Sequence, residues 1–336
     1  MTTTEHENYL MVMSGKQPEW VPNFEDALDM IIPAPFLMHF MTEEKRDFFG
    51  VPWVIVDAGP MVDNHQPHVM DDINDWKKFV HLPDPASFPW EAMAAQQLAE
   101  EHDPNKALIV MPNLGGGTIF MPLINMMGFE DGLCSIMEEP EVAAEFFGAV
   151  TDFYVDCIPY IAKYYHPDTI IVGDDLCTAD SQFITMDAFE EILKPLYQRQ
   201  IDAVHREGVY AELHMCGKCE PFVHEFASMG ADSWQPAQGM NDIAGIQAKY
   251  GKDLVINGGW RTDGPAWCPG ASEDLVRSEL RECFNAFADD SAYIFWTGGQ
   301  VGFSEDQAAR FGWVTDEARS YGRQFYKRHH HRSCRD

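Results

Sequence analysis

The chain has 336 residues, 46% of them hydrophobic, enough to bury a large core in one barrel-sized domain or two ordinary ones, so global disorder is excluded. With 23 Lys and Arg against 54 Asp and Glu, the formal net charge of -31 repels phosphate backbones and anionic membranes, which excludes nucleic acid as a partner. Apolar runs such as Leu108-Ile109-Val110-Met111 are strand-sized and far short of the ~18 residues a membrane span needs, so no transmembrane helix is expected.

The first residues, Met1-Thr2-Thr3-Thr4-Glu5-His6-Glu7, are polar and acidic and lack the basic and apolar regions of a secretory signal, which predicts a cytoplasmic protein. Weak strand patterns at 20–24 and 53–57 lie in a Pro-rich, irregular stretch that runs to about residue 105. From there, strand-like runs at 107–112, 169–173, 209–216, 231–235, 253–258 and 291–297 alternate with amphipathic helical stretches at 141–165, 186–207, 219–229, 241–250, 272–288 and 304–326. Thr185 and Ser272 stand as hydroxyl N-caps before acidic first turns. This alternation is the signature of βα units and a parallel sheet, and the two weak strands bring the count close to eight. The expectation is an α/β fold, a single-domain (β/α)8 TIM barrel over 1–326 with an irregular N-terminal elaboration. The basic segment 327–336, with His329-His330-His331, reads as a disordered tail without a role. Eight cysteines scattered through the chain (134, 157, 177, 216, 219, 268, 283 and 334) predict free thiols.

In a barrel, function sits at the carboxyl ends of the strands and in the loops that follow. That rule selects Asn113, Asp174, Asp175, His214, Cys216, Gln235, Trp260 and Trp296. Side chains alternate along a strand, so Glu212, His214 and Cys216 share a face, and His-x-Cys supplies two corners of a zinc tetrahedron. Cys219 is a candidate third corner. Two ligands do not make a site, however, and His214 and Cys216 equally suit ordinary packing. Asp174 and Asp175 open to the barrel mouth as general acids, hydroxyl binders or metal ligands; alternatively one of them caps the next loop at Thr178 or Ser181. Gly115-Gly116-Gly117 lacks the spacing of a phosphate loop, so nucleotide binding is not expected. The Met- and Phe-rich run from Phe120 to Phe129 lines either an apolar pocket or the core.

Several segments together resemble the uroporphyrinogen decarboxylase superfamily, particularly its corrinoid-linked methyltransferase branch. They are Met13 to Pro22, Asp71 to Val80, Gly128-Phe129-Glu130-Asp131-Gly132-Leu133, Gly173-Asp174-Asp175-Leu176, Leu213-His214-Met215-Cys216-Gly217 and Asn257-Gly258-Gly259. The resemblance implies a barrel and one of two chemistries, decarboxylation of a porphyrinogen or methyl transfer involving a corrinoid. A polycarboxylate porphyrinogen needs a cluster of cations, and Arg46 is the only arginine in the first 198 residues, so the decarboxylase ranks third. Thiol-activating members of the methyltransferase branch hold zinc by His-x-Cys and a further Cys near the last strands. Here that end reads Phe295-Trp296-Thr297-Gly298-Gly299-Gln300, and Cys268 and Cys283 lie elsewhere, which leaves Glu212, Asp175 or Cys219 to complete the shell.

The leading expectation is a methyltransferase that takes a methyl group from a small methylated substrate, an aryl methyl ether above all, to Co(I) of a corrinoid. No Asp-x-His-x-x-Gly corrinoid signature occurs in the chain, so the cofactor is expected on a separate partner protein. Asp174, Asp175, Glu212 and His214 are the expected catalytic acids or ligands. Trp260 and Trp296 are expected to hold a ring, with Asn113 or Gln235 fixing its polar substituent. The alternatives are a methylcorrinoid:thiol or methylcorrinoid:tetrahydrofolate methyltransferase using zinc, and a small-molecule-binding barrel without catalysis. Oligomeric state, a homodimer included, is not fixed by the sequence.

Overall fold

The computed structural model describes residues 2–38, 42–56, 59–113, 117–289, 292–298 and 304–328. Its centre is a curled sheet of seven parallel strands: β1 (Leu28–Ile31), β4 (Ala107–Val110), β5 (Thr169–Gly173), β6 (Tyr210–His214), β7 (Ser233–Ala237), β8 (Val255–Gly259) and β9 (Tyr293–Trp296), adjacent in that order. Two further strands, β2 (Trp53–Val56) and β3 (Gly59–Val62), form a separate antiparallel hairpin. All six strands expected from residue 105 onward are present, each followed by a helical crossover, as parallel pairing requires.

The two weaker expectations are corrected. The 20–24 segment contributes one parallel bridge, Asn23 to Phe295, with the Phe295 N–H donating to the Pro22 carbonyl at 2.9 Å. The chain then turns into a short helix, Phe24–Ala27, because the Asn23 side chain accepts from the Asp26 N–H and caps it, so the strand itself starts only at Leu28. Residues 53–56 pair with the hairpin partner and not with the sheet. The described residues thus show seven sheet strands and one bridge where eight strands were expected. At the C-terminus, Lys327 and Arg328 lie in a helical turn, with the Arg328 N–H bonded to Gln324 O, and not in a disordered tail; 329–336 lie outside the described residues.

The helical expectations hold, with two breaks, one at a turn over 323–324 after the helix Glu305–Gly322. The 186–207 stretch divides into Met186–Ala188, a π turn Phe189–Leu193 and Lys194–Arg206, the break falling just before Pro195, which has no N–H to donate. Thr185 and Ser272 cap as expected, accepting from Ala188 N and Leu275 N. Among the described residues, no helix is long and apolar enough to cross a membrane.

The alternation of side chains divides the core in two. Leu108, Val110, Ile170, Val172, Leu213, Trp234 and Phe295 face outward into the layer of helices. Leu28, Ile109, Ile171, Val255, Ile294 and Trp296 face inward, joined by Tyr9 and Val12 of the N-terminal helix Glu5–Met13. Tyr9 is tied to the inner face by a 2.6 Å hydrogen bond to Thr169. The inner face of β6–β8 departs from this apolar rule: Glu212, His214, Ser233, Gln235 and Asn257 form a polar sector, and that is where the candidate site lies.

Candidate active site

The strands bring three metal-binding side chains together at the carboxyl ends of β5 and β6. Asp175 Oδ1 lies 3.5 Å from His214 Nε2, and His214 Nε2 lies 3.7 Å from Cys216 Sγ. All three candidate ligand atoms fall within 4.8 Å of one another. The Cys216 N–H donates to Asp175 Oδ1 at 2.9 Å, which locks the carboxylate against the turn after β6. The close approach depends on Gly173, whose φ is +126 and where a Cβ would sit 2.5 Å from the His214 carbonyl oxygen. Any side chain there would push β5 from β6 where the cluster forms.

Asp175 and His214 form a partly accessible pair, with side chains 33% and 15% exposed. Burial alone would raise the Asp175 carboxyl, but the hydrogen bond from His214, its charge and the Cys216 N–H outweigh it and hold the group below the usual carboxylate range. Burial works against the imidazolium of His214, yet Cys216 and Asp175 facing it hold its pKa well above the ordinary value.

Asp174, the neighbour, points the other way. Its Oδ2 accepts from Ile119 N, Phe120 N and the Tyr197 hydroxyl, and its Oδ1 from Met121 N, at 2.8 to 3.0 Å. It anchors the start of the helix Phe120–Met127, whose first N–H groups have no partner within the helix. Gly117 makes room, since a Cβ there would lie 1.9 Å from Asp174 Oδ1. Burial pushes the Asp174 carboxyl up to about 6 against these hydrogen bonds. One of the adjacent aspartates is thus a structural cap, as one reading of the pair had it, but for the 119–121 turn; Thr178 caps its own loop by accepting from Asp180 N and Ser181 N.

Of the other expected residues, Glu212 lies inside the polar sector. Its Oε2 accepts from Ser233 Oγ at 2.8 Å and Asn257 Nδ2 at 3.1 Å, while Oε1 is buried without a partner. Burial raises its pKa despite those bonds. Gln235, paired in register with His214 across β6 and β7, has neither end of its carboxamide bonded, and Asn113 Oδ1 and His214 Nδ1 are likewise buried and unpartnered. Trp296 joins the inner core, stacked on Phe24 at 4.4 Å. Trp260 turns outward, edge-on to Trp267 and Phe295, and is not brought to the cluster. Cys219 is also turned away, with Sγ within 3.4 Å of the carbonyls of Met215, Cys216 and Gly217. Gly115, Gly116, Gly299 and Gln300 lie outside the described residues.

Sequence reasoning missed the cleft beside the cluster. It has a volume of about 480 Å³, with Asp175 on one wall and Trp53, Met61 and Val62 of the hairpin on the other. Met121, Ile124 and Phe129 make it apolar; Asn64, His68 and Asn125 add polar atoms. The hairpin leaves Val54, Ile55 and Met61 exposed, where a strand of the central sheet would bury them. The run from Phe120 to Phe129 serves both expected roles: Phe120 and Leu123 are core, and Met121 and Phe129 line the cleft.

A family model described as uroporphyrinogen decarboxylase (URO-D) matches residues 48–309. Among solved structures, the fold is similar to that of a methyltransferase from Methanosarcina mazei, with a TM-score of 0.63 and 12% sequence identity over 94% of this chain and 99% of that one. No curated protein sequence matches the chain.

Proposed function

The chain belongs to the uroporphyrinogen decarboxylase family, and from that premise we propose that it is a methyltransferase. It moves a methyl group from a small methylated substrate, an aryl methyl ether above all, to the Co(I) corrinoid of a partner protein. The proposal includes a single barrel domain over 1–326, with the Pro22–Asn23 segment in the place of an eighth strand. The likeness to a methyltransferase in fold supports the class of reaction, and the observation that carries it is the Asp175, His214 and Cys216 cluster, whose Asp175 lines an apolar cleft.

These residues fit a zinc ion. At Zn–N and Zn–S bond lengths of about 2.0 and 2.3 Å, tetrahedral geometry puts the two donors about 3.5 Å apart, close to the 3.7 Å between His214 Nε2 and Cys216 Sγ. Three protein donors is also the count of catalytic zinc, not structural zinc. When bound, the ion would supply Lewis acidity at the ether oxygen, a poor leaving group by itself. With one thiolate in the shell and a carboxylate in place of a second, that acidity is greater, which favours an ether donor over the methylcorrinoid:thiol alternative. Cys216 N fixes Asp175, and the Met- and Phe-lined cleft holds an aromatic ring and keeps water from it. Asn113, with a buried free acceptor, and Trp296 are the residues we assign to the substrate.

Among the described residues lining the cleft, none is Lys or Arg, which disfavours a porphyrinogen with many carboxylates. Incubation with a panel of methoxybenzoates and guaiacol plus reduced corrinoid protein tests the proposal. Methyl-cobalt absorbance with at least one ether is expected; its absence with every substrate would overturn it.

A further inference from the structure

Four buried polar atoms around His214 have no partner: His214 Nδ1, both ends of the Gln235 carboxamide, and Glu212 Oε1. They lie on adjacent strands and on one face. Gln235 is the register partner of His214, and Glu212 lies two residues before His214 on β6. Leaving buried donors and acceptors unsatisfied is costly, and the four are chemically complementary in pairs. An imidazole N–H can donate to a carboxamide oxygen, and a carboxamide NH2 to a carboxylate oxygen.

We propose that Gln235 is a positioning residue that joins these groups into a relay: Gln235 Oε1 accepts from His214 Nδ1–H, and Gln235 Nε2 donates to Glu212 Oε1. The far end is already built, since Ser233 Oγ and Asn257 Nδ2 hold Glu212 Oε2 at 2.8 and 3.1 Å. Glu212 and Gln235 are 0% and 1% exposed, so water does not compete freely for either. The consequence is chemical. A proton fixed on Nδ1 leaves the lone pair on Nε2, the nitrogen that faces Asp175 and Cys216. Ligating histidines are generally held in this way, and loss of the outer partner weakens metal binding about 10–100-fold. The sequence expectation placed Gln235 against the substrate; its register beside His214 gives it this other role.

The inference rests on the proposed metal site, so the test separates the two. The full-length protein is labelled with 15N-histidine, and the His214 Nδ1–H resonance is followed with and without zinc. The wild type should show a slowly exchanging Nδ1–H that Gln235→Leu abolishes. Zinc affinity, by chelator competition, should fall about 10–100-fold in Gln235→Leu and return to within a few-fold of wild type in the exchanged pair Glu212→Gln with Gln235→Glu. The exchanged pair keeps a carboxylate against Nδ1–H and an amide beside it, whereas a general packing defect would not be rescued. A protected Nδ1–H in a wild type that takes up no zinc would uphold the relay and defeat the metal assignment. An Nδ1–H signal and zinc affinity both unchanged in Gln235→Leu would overturn the relay, as would a proton carried only on Nε2.

Discussion

Replacing Asp174 by Ala separates a structural carboxylate from a catalytic one. The substitution strips the acceptor from three backbone N–H groups, at Ile119, Phe120 and Met121, and from the Tyr197 hydroxyl, all buried except the half-buried Met121. Each orphaned donor costs about 1–3 kcal/mol, so the gross loss is about 4–12 kcal/mol. Against this stands the cost of burying the charge. The carboxyl is raised from 3.8 to about 6 even with those bonds in place, so burying the charge costs at least about 3 kcal/mol at neutral pH. Water entering the space left by the carboxylate offsets more, and a net destabilisation of about 3–5 kcal/mol at pH 7 remains, the range of a broken buried network. At about 2 °C per kcal/mol for a chain of this size, Tm should fall by about 6–10 °C. The pH dependence carries a sign. A raised carboxyl pKa contributes stability that is complete below 3.8 and is lost as pH rises through about 6. Wild type therefore gains from this group between pH 7 and pH 5 and the Ala variant does not, so the gap widens on acidification. Urea unfolding at the two pH values measures it. A variant with wild-type stability and no activity would refute the reasoning and return Asp174 to the chemistry.

Gly173→Ala forces a Cβ against the His214 carbonyl at a φ of +126, and we expect a loss of about 2–4 kcal/mol in denaturant unfolding; unchanged stability would contradict the close approach of β5 and β6. Phe129→Ala removes part of the apolar cleft wall, and with an aryl ether KM should rise about tenfold with kcat within about twofold, since only ring burial is lost. An equal fall in kcat would instead place Phe129 at the reacting centre. Glu25, near Thr297 at 3.5 Å, is raised by burial from 4.5 to about 7, so its contribution to stability is complete below 4.5 and lost as pH rises through 7. Glu25→Gln should therefore gain about 1–3 kcal/mol relative to wild type between pH 5 and pH 8, and parallel stability profiles would count against this.

The main sheet was legible because its strands are short apolar runs punctuated by Gly, Pro and Asp, and the helices between them carry clear caps. The chemical residues followed from the strand-end rule and the alternation of side chains, which found His214 and Cys216 from two positions in one motif. What the pattern could not resolve was direction at a single residue. Asp174 and Asp175 are equivalent as text, and the positive φ of Gly173 helps decide which one turns to His214 and which to the 119–121 turn. Trp260 had the same ambiguity and went to the outer core. The 53–57 run is β-rich but carries no information about its partner, so the pattern suits the central sheet as well as the local pairing of 53–56 with 59–62 that the chain makes. The cleft was illegible for a related reason: Trp53, His68 and Asp175 are far apart in sequence and share no motif.

Metal analysis of the purified protein, beside the Asp175→Ala, His214→Ala and Cys216→Ala variants, bears most directly on a three-residue zinc centre beside the cleft. Near-stoichiometric zinc in the wild type, lost in each of the three and retained in Cys219→Ala, is the predicted result. A wild type that stays zinc-free after incubation with the ion, or that holds it as well without His214 and Cys216, would contradict it.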